Sequence, residues 1–352
     1  MWLPSPIVRF LWGSPVVGDL MYARLNRQRR QEPQTALRES FAAGVTSSAS
    51  QPLKWSLRIP VPASDKGKHW GDLYFARDFA AALSSLGQDA EIHRRNNLWE
   101  CDGTEDVSVV IRGLERVKPK PGKINILWII STPELITKDE LDGFDIIFAA
   151  SNSWSEWVTK KTGIEVLPLL QCTGPKRFNP YASEPDLTKE IIFVGNARKR
   201  SRKIVSDFIG AQVPMKIHGK GWTDKVPESL IGEQFIPNEE LPIRYRSSKI
   251  VLNDHRPDMR KRGFYSNRLF DAVASGARVL SDDVDGLEQF FEGAVKAYAD
   301  SSELQGICAD ENLGSWGTDD QIRDRAIAFG KLHSFESRAQ EMIQAVRQLQ
   351  KP

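Results

Sequence analysis

From residue 54 onward the chain alternates short unbroken apolar runs with longer stretches whose apolar residues recur at helical spacing. Runs such as NILWII (125–130) and DIIFAA (145–150) carry apolar residues on both alternating faces. That pattern marks strands covered on both sides, as in parallel sheets. Strands are expected in a first half at 55–61, 90–94, 107–111, 124–130, 145–149 and 165–170. A second half repeats the scheme at 190–194, 215–218, 233–236, 249–253, 277–281 and 295–297. The clearest helix between them is 72–86, where Leu73, Ala76, Phe79, Ala80 and Leu83 share one face and Gly87 provides a stop. Further helices are expected at 202–209, 239–247, 267–275 and 286–291, and a long one at about 321–349.

Two tandem βα halves imply an α/β protein of two Rossmann-like domains, with parallel sheets facing a central cleft and a C-terminal helical tail. Residues 1–53 read as an arm and linker, 54–171 as the first domain and 172–189, with its three prolines, as a hinge. Residues 190–318 read as the second domain, and 319–352 as a helix packing back on the first. Ligands of open α/β sheets bind beyond the carboxyl ends of the strands, so function is sought in the loops that follow them.

Composition adds limits. The 352 residues exceed one ordinary core, and 40% apolar with 27% charged residues is globular usage. A net charge of +2 gives no overall field toward nucleic acid. Three scattered cysteines, Cys101, Cys172 and Cys308, form neither a metal spacing nor a disulfide framework, which fits the reducing cytoplasm. No apolar run reaches the ~18 residues of a membrane span. The arm Met1–Leu20 holds Trp2 and Trp12 ahead of Arg24, Arg27, Arg29 and Arg30. It is either a segment packed on the domain or disordered, or a peripheral contact with the inner membrane face.

Four loops carry candidate chemistry. The first, PASDKGKHWGD (62–72), opens the 72–86 helix. Gly67 and Gly71 allow close approach of a ligand to the backbone, and the helix start offers N–H groups. His69 and Asp72 are its proton-transfer candidates; the plainer readings are a solvated histidine and an N-cap aspartate. The second, FVGNARKRSRK (193–203), places Asn196, Arg198, Lys199, Arg200, Arg202 and Lys203 between a strand and a helix, as a diphosphate site or as a solvated basic face. The third, HGKGW (218–222), adds Lys220 as a second phosphate contact, with Trp222 as a core cover. The fourth, NDHRPDMRKRGFYSNRLFD (253–271), delivers Asp254 and His255 from a strand. Ser266 and Asn267 then begin a helix that carries Asp271 one turn on. Helix-start donors beside a carboxylate can hold a diphosphate and a ribose together.

These stretches resemble a family. FVGNARKRSR, HGKGW and KIVLNDHRPDMRKRGFYSNRLFDAVASGARVLSDDVDGL are similar to the nucleotide-binding domain of GT-B glycosyltransferases of the group-1 type, in particular a bacterial spore-maturation and surface-polysaccharide subset. HWGDLYFARDFAAALSSLG, NILWIISTPELITKDEL and LLQCTGPKRFNP resemble the acceptor domain of that subset. The resemblance spans about 55–300. It implies the GT-B fold and transfer of a sugar from a nucleotide-diphosphate donor to a glycan or lipid-linked acceptor, without a cofactor, a metal or nucleic acid. It sets Gly67–Gly71 against the donor, and Arg198, Arg200 or Arg202 with Lys220 as the phosphate clamp. Ser266, Asn267 and Arg268 would meet the diphosphate, and Asp271 the ribose hydroxyls.

One departure stands out. Retaining relatives have two glutamates eight positions apart, whereas here Asp271 is preceded at that distance by Gly263. Asp254 or Asp258 is then the stand-in, or the carboxylate is missing. In the SerThrPro stretch 131–133, relatives often keep a histidine before the proline. An inverting course would draw its general base from His69, Asp72 or His255, and a retaining one would need none. The other functions compatible with the sequence are a nucleotide-sugar epimerase of similar build and a non-catalytic sugar-nucleotide or glycan-binding scaffold.

Overall fold

The computed structural model describes residues 52–95, 103–181, 190–197 and 202–350, apart from the side chains of Lys66 and His69. The chain divides into two compact units. The first runs up to Leu170 and takes in the residues from Arg338 on; the second is Gln171–Ser337.

The first unit is built on strands β1 (Lys54–Arg58), β2 (Asp89–His93), β3 (Val107–Arg112), β4 (Ile124–Ile129), β5 (Ile146–Ala149) and β6 (Leu167–Pro168). They form one sheet in the order β2-β1-β3-β4-β5-β6, and every pair is parallel. The helices are α1 (Gly71–Ser85), α2 (Lys138–Leu141) and α3 (Asn152–Thr162). Helix α1 buries Leu73, Phe75, Ala76, Phe79 and Leu83. The rings of Phe75 and Phe79 each lie 5.2 Å from that of Trp128 on β4. Helix α3 begins where Ser151 accepts the Trp154 amide and ends at the left-handed Gly163.

The second unit holds β7 (Ile191–Val194), β8 (Lys216–His218), β9 (Ile250–Asn253), β10 (Val279–Asp282) and β11 (Val295–Tyr298). Its sheet has the order β11-β10-β9-β7-β8 and is likewise wholly parallel. Its helices are α4 (Lys203–Gly210), α5 (Leu241–Ser247), α6 (Pro257–Lys261), α7 (Asn267–Ala274), α8 (Leu287–Phe290), α9 (Leu304–Ile307) and α10 (Asp319–Leu332). The core gathers Phe193, Phe208, Ile217, Trp222, Leu252, Leu280 and Trp316.

Each sheet reverses direction once, between β1 and β3 in the first unit and between β7 and β9 in the second. Neighbouring loops diverge there and leave a crevice at the carboxyl edge. The candidate loops at 62–72 and 193–203 leave from these switch points.

Two expectations are corrected. The strand expected at 233–236 does not form; an isolated bridge pairs Ile231, just before it, with Ile217. The helix expected at 321–349 is two helices, α10 and α11 (Phe335–Leu349). Between them His333 O accepts the Thr173 amide at 2.9 Å and the Phe335 amide donates to Thr173 O at 3.0 Å. Backbone groups that would continue the helix are spent on the chain that enters the second unit. Ser334 Oγ then accepts the Ser337 amide in the first turn of α11.

Candidate functional site

In the second unit, the loops after β7 and β8 are zipped together. The Gly195 amide donates to His218 O at 2.7 Å, and the Ala197 amide donates to Lys220 O at 2.9 Å. Asn196 Oδ1 accepts the Lys220 amide at 2.8 Å, so this oxygen closes the loop. Trp222 Nε1 donates to Gly195 O at 2.8 Å, and the indole meets Phe193 edge-on. Gly219 has φ +139°, and a Cβ there would stand 2.4 Å from Gly195 O. Only glycine permits this approach. What the zipper presents outward is Lys220, exposed and with no side-chain partner among the described residues. Arg198 lies outside the described residues, as do Lys199 and Arg200.

Arg202 is not a free cation. It is buried, and its Nη1 donates to Asp254 Oδ1 at 2.7 Å. Its Nε and Nη2 donate to Asn196 O at 3.3 and 3.0 Å. Arg202 and Arg268 both lie over the Phe193 ring, at 5.2 and 5.0 Å from its centre. Gly195 leaves room for both, since a Cβ there would meet Nη2 of Arg202 at 3.3 Å and Nη2 of Arg268 at 3.0 Å. Arg202 and Asp254, expected on the donor, therefore neutralise each other beneath the site. Asp258 in turn pairs with Arg256.

The start of α7 has a different character. Arg268 Nη1 donates to Asn253 Oδ1 at 3.0 Å, and the Tyr245 hydroxyl lies against the same side chain. Burial pushes that hydroxyl up to about 12, so it stays a phenol and leaves the guanidinium charge intact. Ser266 is the N-cap residue, but its hydroxyl makes no cap bond. Its amide donates instead to His255 Nε2 at 3.0 Å. The next two amides, of Asn267 and Arg268, occupy helix positions that have no intrahelical acceptor. One turn on, Asp271 Oδ2 accepts from Asn267 Nδ2 at 2.9 Å and Oδ1 from Thr173 Oγ1 at 2.8 Å. Asn267 Oδ1 is buried with no partner among the described residues.

Both ring nitrogens of His255 are engaged within the fold. Its ring is fully buried, Nε2 is occupied by the Ser266 amide, and Nδ1 lies 2.7 Å from Asp282 Oδ1. Burial works to raise the Asp282 carboxyl, but hydrogen bonds from His255 outweigh it and hold the group below its ordinary value.

In the first unit, Gly67 is explained by its own loop. A Cβ there would stand 2.0 Å from Pro62 O, and its amide already donates to Ser64 O. Gly71 is the first residue of α1, with open space around it. His69 closes a short 3-10 turn, Asp65–His69, and its side chain lies outside the described residues. Asp72 follows Gly71 in the first turn. The residue is half-buried, and a Cβ on Gly113 beyond β3 would come within 3.2 Å of its Oδ2. Desolvation holds it above the usual carboxylate value. No hydrogen bond to this carboxylate occurs among the described residues.

Gly113 itself is clamped. Its carbonyl accepts from Arg112 Nη1 and, at 2.8 Å, from Thr132 Oγ1. Arg112 forms a buried bidentate pair with Glu140 at 2.6 and 3.3 Å. Thr132, where relatives often keep a histidine, takes the left-handed conformation (φ 54°, ψ 49°) and turns its hydroxyl inward. Backbone strain of this kind gathers at functional sites.

An Asp-x-Asp spacing occurs at Asp283–Asp285. Among the described residues there is no group of three or more His, Cys, Asp or Glu able to hold a metal ion. Also among the described residues, no helix is long and apolar enough to cross a membrane; Met1–Leu20 lies outside them.

Two wholly parallel doubly wound sheets, each with candidate residues at its switch point, are the architecture of the GT-B glycosyltransferases. Residues 197–344 match the family described as glycosyl transferase-like. AviGT4, a glycosyltransferase involved in avilamycin A biosynthesis, is similar in structure at 16% identity and TM-score 0.61, over 85% of this chain and 98% of that one. A sucrose-phosphate synthase from Thermosynechococcus elongatus is similar at 15% identity and TM-score 0.59, over 84% and 99%. A T4 phage β-glucosyltransferase, solved with UDP and Mn2+, follows at 12% identity and TM-score 0.50, over 84% and 98%. No curated protein matches the sequence.

Proposed function

We propose that the protein transfers a sugar from a nucleoside diphosphate sugar to a hydroxyl of a glycan or lipid-linked acceptor, in the synthesis of a bacterial surface polysaccharide or glycoconjugate. One observation carries this reading: the α7 start sits beside a switch point with two amides that have no partner among the described residues, a guanidinium and a carboxylate one turn on. The amides of Asn267 and Arg268, the Arg268 side chain and Lys220 would stabilise charge developing on the departing diphosphate. Asp271 and the unsatisfied Asn267 Oδ1 would take the ribose hydroxyls.

The course we favour is inverting, with Asp72 as general base. The acceptor hydroxyl gives its proton to Asp72, its oxygen bonds to the sugar's anomeric carbon, and the bond from that carbon to the diphosphate oxygen breaks. Asp72 is suited because desolvation makes its carboxylate more basic. We propose catalysis without a metal, in the cytoplasm.

The test is diphosphate release from a panel of nucleotide sugars, with and without glycan and lipid-linked acceptors, in the presence of EDTA. Release that depends on acceptor supports transfer. Interconversion of the sugar without acceptor would instead mark an epimerase, and binding without turnover a scaffold.

A further inference from the structure

The structure assigns His255 the task of holding the start of α7 in place for the diphosphate, acting as a strut rather than as a proton carrier. The inference rests on the donor site proposed above. The ring joins three elements: it stands just beyond β9, takes Asp282 at the tip of β10 on one nitrogen, and holds the first turn of α7 on the other. Asp282 also accepts the His255 amide, at 3.0 and 3.2 Å, so the ring's own backbone is anchored to the same carboxylate.

The tautomer follows from the partners. A backbone N–H can only donate, so Nε2 facing the Ser266 amide bears no proton. The proton is on Nδ1, facing Asp282. A neutral, planar ring thus relays a donor to a carboxylate and an acceptor to a helix start across a fixed distance. By consuming the Ser266 amide, it leaves the Asn267 and Arg268 amides as the unpaired pair and sets where they point. The Ser266 hydroxyl makes no cap bond, and the other tie from the first turn, Arg268 to Asn253, runs through a side chain and leaves the Ser266 amide to His255.

Two substitutions separate the ring's ends. Asn places its amide near Nδ1 and loses the acceptor for Ser266; Gln places an oxygen near Nε2 and keeps it. With the Ser266 N–H unpaired the first turn of α7 is no longer held in place, so H255N should weaken nucleoside diphosphate binding about 5- to 100-fold, which is about 1 to 2.7 kcal/mol. H255Q should restore it to within about 3-fold, which is below 1 kcal/mol.

The measurement is calorimetric titration of wild type, H255N and H255Q with UDP, GDP and ADP separately, beside donor KM and kcat and melting temperature. A purely structural role would lower stability in both variants and leave the affinity of the folded protein unchanged. Equal affinity in wild type and H255N, or H255Q as weak as H255N, overturns the strut. A wild type that binds none of the three overturns the donor site, and the strut with it. Should H255N not fold, the wild type still decides: ring 15N shifts must report the Nδ1–H tautomer of His255, and an Nε2–H tautomer refutes the assignment.

Discussion

Replacing Arg202 by alanine distinguishes a phosphate clamp from an internal ion pair. The sequence places this arginine among the donor contacts, whereas its guanidinium is buried on Asp254 at 2.7 Å and on Asn196 O. Removing one partner of a buried pair leaves the other charge desolvated and alone, a loss of about 3–5 kcal/mol. The second unit has about 170 residues, a size at which each kcal/mol moves Tm by about 2–4 °C. R202A should therefore melt about 6–20 °C below wild type. Replacing both partners by apolar residues of similar volume, R202M/D254L, should recover most of that loss, because no charge is left unpaired. Circular dichroism or calorimetric melts of the three proteins decide the matter. An R202A protein that melts within 2 °C of wild type while losing donor affinity would refute the reasoning and return Arg202 to the ligand.

Lys220 should behave in the opposite way. Its ammonium is exposed, so K220A should leave Tm unchanged while weakening nucleoside diphosphate binding about 10- to 100-fold, by titration calorimetry, if it makes a charge-assisted contact. G219A introduces a Cβ 2.4 Å from Gly195 O at φ +139°; strain and clash should lower stability by at least ~2 kcal/mol, read as a drop in Tm. D72N should cut kcat about 100- to 10,000-fold if Asp72 is the base, and the wild-type rate should fall with acid above the ordinary carboxylate range. The stability consequence has the reverse sign. A carboxyl raised in the folded state binds more protons there than when unfolded, so stability is fullest below its unfolded value of 3.8 and is lost as pH rises through the folded one. D72N should flatten that part of the curve in a pH series of denaturant titrations.

Much of the scaffold is legible in local pattern. The runs 125–130 and 145–150 became β4 and β5 because strands covered on both faces need apolar residues at every position. Helix α1 follows from its apolar stripe. Pattern fails where long-range partners decide. Thr173 lies far from His333 in sequence, yet its amide and carbonyl take the groups that would have carried α10 into α11. The site divides in the same way. Residue types and loop positions marked Lys220, Arg268 and Asp271, because cations and helix starts after strands are local features. They also marked Arg202, Asp254, Asn196 and His255; the hydrogen bonds of these four turn inward, as do those of Arg268 and Asp271, and spacing does not reveal which way a side chain turns. Gly67 was read as room for a ligand, when the space is taken by Pro62. Nothing local in the sequence marks Thr173 as the partner of Asp271.

The first unit is assembled from two stretches of chain, with the whole of the second unit between them. Ala339, Met342, Ala345 and Val346 of α11 are fully buried, and the residues from Arg338 on group with that unit. During synthesis the first six-stranded sheet therefore leaves the ribosome before the helix that completes it, and the apolar seat of α11 stays open while about 170 further residues are made. A nascent chain of this design needs shielding from aggregation during that interval. Cutting the gene after Leu170 would yield a fragment with that seat permanently bare.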